Sequence, residues 1–224
     1  MVRKKGPIYR TRTIKRAISD KDFNILLDSL RLRKHKVLIT LMRYEGLRLE
    51  EGLRINIYNK PSTNHLNIKR GTITFNKQKN GNDGEIWPLR NKTIEVLAQY
   101  IHDEWNNIIS HGGWLFWSSW SRYPNHHLKV GCVESTLWRY RKKLGWDDLI
   151  WGYRSNGHKK HIITFHSLKH EHHREVLRNM IKKWGRIDTH SALILTRHKS
   201  YQGLQPYINE IPEVKQGLVN ELMN

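Results

Sequence analysis

The chain has 224 residues, enough for one sizeable core, and its Lys and Arg outnumber Asp and Glu 40 to 20, for a formal charge of +20. That excess points to a polyanion, above all nucleic acid; no apolar run is long enough to cross a bilayer and no secretory signal is read, which argues against a membrane partner. The single cysteine, Cys132, excludes an internal disulfide and a cysteine-rich zinc site, and nine Trp with nine Tyr describe a folded core, not a disordered basic tail.

Residues 1–17 hold Arg3, Lys4, Lys5, Arg10, Arg12, Lys15 and Arg16 without an amphipathic period. They read as a basic arm, either solvated or laid on phosphates. A helix is expected to start at Ser19-Asp20-Lys21-Asp22, with Phe23, Leu26, Leu27 and Leu30 on one face. A second runs from about Lys34 to Tyr44 and ends at Gly46, a residue suited to the left-handed position past a helix. In Gly46-Leu47-Arg48-Leu49-Glu50-Glu51, Arg48 and Glu51 stand three apart and can meet on one face. Residues 55–58, 65–68, 72–75 and 85–89 alternate apolar and polar, which predicts a small antiparallel sheet. Its last hairpin, Lys77 to Gly84, places lysine at the tip.

Residues 91–109 read as a helix that buries Ile94, Leu97, Tyr100, Ile101, Trp105 and Ile108. Trp114, Phe116, Trp117 and Trp120 are expected to pack together, not to stack on nucleotides. A helix over about 135–144 carries Arg139, Arg141, Lys142 and Lys143, and residues 145–163 read as an irregular basic loop. A helix from Thr164 to about Trp184 holds His166, Lys169, His170, His172, His173 and Arg174. The histidines do not form a zinc motif, since His172 and His173 are adjacent and the HExxH order is missing. A short helix at 192–195 precedes Thr196-Arg197-His198-Lys199-Ser200, and Tyr207 follows His198 by nine positions. Pro212 opens a last amphipathic helix, about 212–223.

Four of these stretches resemble, in order, the motifs of the tyrosine recombinase family, the phage- and virus-type integrases and Xer-like resolvases. Gly46 to Glu51 is similar to the first arginine motif, and Lys79-Asn80-Gly81 before Trp87-Pro88-Leu89 to the lysine hairpin. Phe165 to His170 is similar to the His-x-x-Arg box, and Thr196 to Ser200 with Tyr207 to the last box. The resemblance covers residues 18–224 and implies a mixed α+β, mainly helical catalytic domain with a small antiparallel sheet. It departs from the family at Lys169, which stands where the second arginine is usual. Lysine keeps the charge but loses the two-pronged grip on phosphate. Arg174 is the alternative bearer of that guanidinium. Arg197 stands where the family usually has glycine.

The resemblance implies site-specific DNA strand transfer with type IB topoisomerase-like chemistry and neither metal nor cofactor. Tyr207 would be the nucleophile, forming a 3′-phosphotyrosyl link. Arg48 and Lys169 (or Arg174) would hold the phosphate, with Glu51 supporting Arg48. Lys79 would protonate the leaving oxygen, and His166 and His198 would bond the phosphate or move a proton. The implied partners are double-stranded DNA and further copies of the chain in a synaptic tetramer, with no small-molecule substrate. The implied setting is a mobile element or virus, with the protein cytoplasmic, at the nucleoid or in a host cell. Either a minimal recombinase or a piece of a longer one is expected, because only residues 1–17 precede the catalytic stretch. The rival readings are a catalytically impaired DNA-binding protein on the same fold and a metal-dependent nuclease using the histidines.

Overall fold

A computed structural model describes residues 18–76, 84–119 and 125–211. These fall into two compact units, one ending at His172 and one beginning at His173. The arm at 1–17, the hairpin tip with Lys79 and the expected helix at 212–223 lie outside the described residues.

The larger unit is built on α2 (Arg33–Glu45). Its Val37, Leu38, Leu41 and Met42 are buried, and so are the polar Lys34, His35, Arg43 and Glu45, so the helix is enclosed almost all round. It stops at Gly46, which takes φ 65°, a conformation that glycine adopts without a Cβ penalty. Ahead of it, α1 (Asp20–Ser29) is capped by Ser19, whose hydroxyl accepts from the Asp22 amide at 3.0 Å. Asp20 and Asp22 add negative charge at the helix's positive end.

After the short α3 (Leu49–Leu53) come β1 (Ile55–Asn56), β2 (Asn64–Asn67), β3 (Thr72–Phe75) and β4 (Glu85–Pro88), in spatial order 1-2-3-4. The β2-β3-β4 meander is antiparallel, and β1 joins β2 as a two-residue parallel addition. Leu66 faces Ile73 and Ile73 faces Trp87, and all three are buried on one face of the sheet. α4 (Asn91–Ser110) packs on α2 and buries Leu97, Tyr100, Ile101 and Ile108, but Trp105, expected in the same stripe, is exposed. Tyr100 is fully buried and donates its hydroxyl proton to the Leu115 carbonyl at 2.9 Å. The Trp-rich segment packs against neighbouring rings, Phe116 on Tyr100, Trp117 on His111 and Trp114 on His127. Phe116 is buried, Lys34 Nζ sits 3.7 Å from the Trp117 ring centre, and Trp114 Nε1 donates to the Asn125 carbonyl. Trp120 lies outside the described residues.

α5 spans Val130–Lys143, five residues earlier at its start than expected. The stretch expected to be an irregular loop is instead a hairpin, β5 (Ile150–Tyr153) with β6 (Lys159–His161). Gly157, at φ 81°, closes the turn, and the Arg154 amide donates to the His158 carbonyl at 2.8 Å. The apolar alternation here is short and sits among charged side chains, which hid the strand period.

α6 (Phe165–Trp184) starts with a reciprocal cap. The Thr164 amide donates to Ser167 Oγ at 2.9 Å, and the Ser167 amide donates to Thr164 Oγ1 at 3.3 Å. The helix belongs to the larger unit up to His172 and to the smaller one beyond it. It ends at Gly185, φ 70°. The smaller unit adds α7 (Thr189–Thr196), capped by Asp188, and α8 (Tyr201–Ile208). Its own core holds Val176, Leu177, Met180, Ala192, Leu204, Tyr207, Ile208 and Ile211.

Candidate active site

In the larger unit, Arg48 caps the start of α3. Its amide donates to Glu51 Oε2 at 2.8 Å, and its Nη1 donates to Glu51 Oε1 at 2.6 Å. The Glu51 side chain is 6% exposed and that of Arg48 45% exposed. A buried carboxylate thus anchors the arginine at two points while its guanidinium stays open to solvent, the arrangement the three-residue spacing suggested. The ion pair itself adds little stability at that exposure, so its use lies in aim.

The turn that carries Arg48 is held from behind. Glu45 Oε1 accepts from the Thr93 hydroxyl at 2.5 Å and from the Arg90 amide at 3.2 Å. Arg90 Nη2 donates to His172 Nδ1 at 3.3 Å, since a guanidinium only donates. A Cβ on Gly46 would stand 2.4 Å from His172 Cδ2, so the ring presses directly on the backbone two residues before Arg48. His172 was read in the sequence only as part of a histidine cluster. It is a buried brace that ties α6 to the end of α2. His166 and Lys169 occupy the first turns of the same helix, His166 exposed and Lys169 half-buried, with the His166 and His170 rings 6.4 Å apart.

The smaller unit gathers Tyr207, His198 and His173, which the sequence reading treated only as part of a histidine cluster. The His173 ring centre lies 4.9 Å from that of Tyr207 and 4.5 Å from that of His198, and His198 lies 5.5 Å from Tyr207. His198 Nδ1 shares a hydrogen bond with the Thr196 hydroxyl at 2.8 Å, which fixes the ring's direction. Gly203 lets that ring approach, since a Cβ there would lie 3.0 Å from His198 Cδ2. Arg197 holds φ 54°, the left-handed conformation that glycine takes cheaply, and ends α7 there. Arg174 is ion-paired with Glu210, three residues beyond Tyr207, and both side chains are largely buried. Burial pushes the Tyr207 hydroxyl pKa well above its usual value; Glu210 adds to that shift and Arg174 opposes it. The hydroxyl is therefore protonated at neutral pH.

The expected site residues are thus distributed between the units. Arg48 and Glu51 meet, and His166 and Lys169 share the first turns of α6, all in the larger unit. Arg174, His198 and Tyr207 cluster in the smaller unit. Lys79 lies outside the described residues. Among the described residues no group of three or more His, Cys, Asp or Glu is placed to hold a metal ion.

No family model matches the chain, and no curated protein is similar to it in sequence. Solved structures are similar in fold. A crystal structure of XerA recombinase superposes with a TM-score of 0.62 at 16% identity, over 93% of this chain and 65% of that one. The chain has the fold of a tyrosine-recombinase catalytic domain. Two further structures of that fold are complexes with DNA. XerH site-specific recombinase on its difH substrate, before cleavage, gives 0.54 at 16% identity, over 86% of this chain and 49% of that one. The Tn1549 transposon integrase with circular-intermediate DNA gives 0.55 at 13% identity, over 86% and 60%. The chain spans about half to two thirds of the length of these three structures. Within the recombinase fold, the described helices contain none long and apolar enough to cross a membrane.

Proposed function

We propose that this protein cuts and rejoins double-stranded DNA at specific sites through Tyr207. The observation that carries the reading is the seating of Tyr207 against two imidazoles in a chain of this fold. The Tyr207 oxygen attacks phosphorus, the bond from phosphorus to the 5′ oxygen breaks, and the 5′ oxygen leaves with a proton. The phosphodiester is kept as a phosphotyrosyl ester, so rejoining reverses the step without an external energy source. Tyr207 must first lose its proton, and its raised pKa makes help from His198 or His173 necessary.

Arg48, aimed by Glu51, supplies a guanidinium to the non-bridging oxygens, with Lys169 as the second cation. Arg174, ion-paired with Glu210, is the alternative bearer of that charge. His166, exposed at the head of α6, bonds the phosphate in this reading. Lys79 delivers the proton to the leaving oxygen. The basic chain grips the duplex through its phosphates, so affinity falls steeply with salt, by a slope of about −0.9 per phosphate contact. Further copies assemble around two sites in a synaptic tetramer.

The test uses a pool of nicked duplexes with randomised centres, in which a short strand is lost after cleavage and rejoining is blocked. The expected result is a protein–DNA adduct stable in detergent, formed in EDTA, and absent in Tyr207→Phe. Retained DNA binding with no adduct from the wild type refutes the enzyme reading in favour of a silent DNA-binding protein. Cleavage abolished by EDTA points to the metal nuclease.

A further inference from the structure

One cleft in the larger unit shares only His166 with the phosphate machinery just described. It has a volume of about 870 Å³ and lies between α5, the β5–β6 hairpin and the head of α6. Trp138 of α5 and Trp151 of β5 both line it. Trp138 is 45% exposed, so part of its indole is open to solvent. Each indole carries an ammonium on one face: Lys142 Nζ is 4.2 Å from the Trp138 ring centre and Lys160 Nζ is 4.6 Å from that of Trp151. The remaining lining is mainly cationic, with Arg141, Arg154 and Lys160, against one acid, Glu134. Lys159 is excluded from that count because Asp148 holds it at 2.7 Å. Arg141 donates from Nη1 to the Ile163 carbonyl at 3.1 Å, which fixes its guanidinium at the cleft wall.

Two indoles interleaved with cations select a flat π-system bearing negative charge, which is the chemistry of a nucleotide. A paired duplex cannot satisfy it, because its base faces are already stacked on one another. An unpaired base can turn out of the helix and stack on an indole while its phosphate stays among the cations. The volume is ample for one nucleotide and lies in the range of ordinary ligand sites.

We infer that the cleft between Trp138 and Trp151 binds an unpaired nucleotide of a DNA strand. This rests on the strand-transfer reading, because exchanging strands unpairs nucleotides next to the cut phosphate and His166 joins the cleft to that phosphate's proposed site. The cleft then holds the released end until it is rejoined.

The experiment uses full-length Tyr207→Phe protein, so that no chemistry intervenes, and two duplexes that differ only in one bulged 2-aminopurine nucleotide. The bulged duplex is expected to bind about tenfold more tightly, the equivalent of about 1.4 kcal/mol of base stacking, with the 2-aminopurine fluorescence quenched. Trp138→Ala and Trp151→Ala should each remove most of that preference and of the quench, while Trp138→Phe keeps them. Equal binding of the two duplexes, or tryptophan variants that weaken both duplexes by the same factor, would overturn the inference, and the first of these outcomes needs no variant to fold. Free 2-aminopurine nucleoside monophosphate is the third arm. If it binds as tightly as the bulged strand, the cleft is a free-nucleotide site and the strand assignment falls. Failure to form a covalent adduct on nicked DNA would instead refute the cleavage reading and leave the bulge preference measurable.

Discussion

Gly46→Ala tests whether the turn bearing Arg48 is held by His172. The new methyl carbon would sit at φ 65°, which costs about 1 kcal/mol in an L-residue. It would also stand 2.4 Å from His172 Cδ2 and 2.9 Å from His172 Nε2, where non-bonded contact needs about 3.5 Å. Ring or turn must shift by about 1 Å, yet His172 is only 3% exposed and Arg90 holds its Nδ1. Overpacking of this kind costs about 1–3 kcal/mol, so the total is about 2–4 kcal/mol. Urea unfolding of wild type, Gly46→Ala, His172→Ala and the double variant measures it. In the His172→Ala background the cost of Gly46→Ala should fall to about 1 kcal/mol, the backbone part alone. An equal cost in both backgrounds would show that the ring does not press on the turn. The same displacement should lower DNA cleavage, since Arg48 is two residues away.

His35 is held down to about 4, chiefly by burial, with Lys34 and Arg139 adding repulsion. In the unfolded chain it takes its proton near 6.5, so its contribution is complete above that pH and is lost as pH falls toward 4, up to about 3 kcal/mol. His35→Gln should flatten the loss of urea midpoint between pH 6.5 and 4, and an unchanged slope assigns the acid sensitivity elsewhere. Glu210→Gln leaves Arg174 in a largely buried setting without its carboxylate and should cost about 1–3 kcal/mol, with Arg174→Met in the same chain recovering part of it by thermal melting. At position 197, glycine should be more stable than alanine by about 1 kcal/mol in urea, because both lose the side chain and only alanine keeps the strain at φ 54°.

Local order along the chain was legible because short-range rules create it. Ser19 caps α1, Gly46 ends α2, and the apolar alternation at Leu66, Ile73 and Trp87 sets one face of the sheet. The pairing of Arg48 with Glu51 follows from a three-residue spacing that one turn of chain closes. The β5–β6 hairpin was not legible, since its apolar positions are few and charged neighbours conceal the period.

Tertiary packing alone decided which histidine does what. His172 and His173 are neighbours in sequence, but a helix turns about 100° per residue and sends them apart. One braces Gly46 and the other flanks Tyr207. Likewise, nothing local distinguishes Arg174 as a partner of Glu210, 36 positions away, until α6 and α8 pack in one core. The sequence by itself determined that a tyrosine, two histidines and several cations would be present in an order suited to attack on phosphate. Only the fold decided that Tyr207 would be buried against a pair of adjoining imidazoles with its hydroxyl pKa raised, because burial and nearby charge are properties of packing between distant segments.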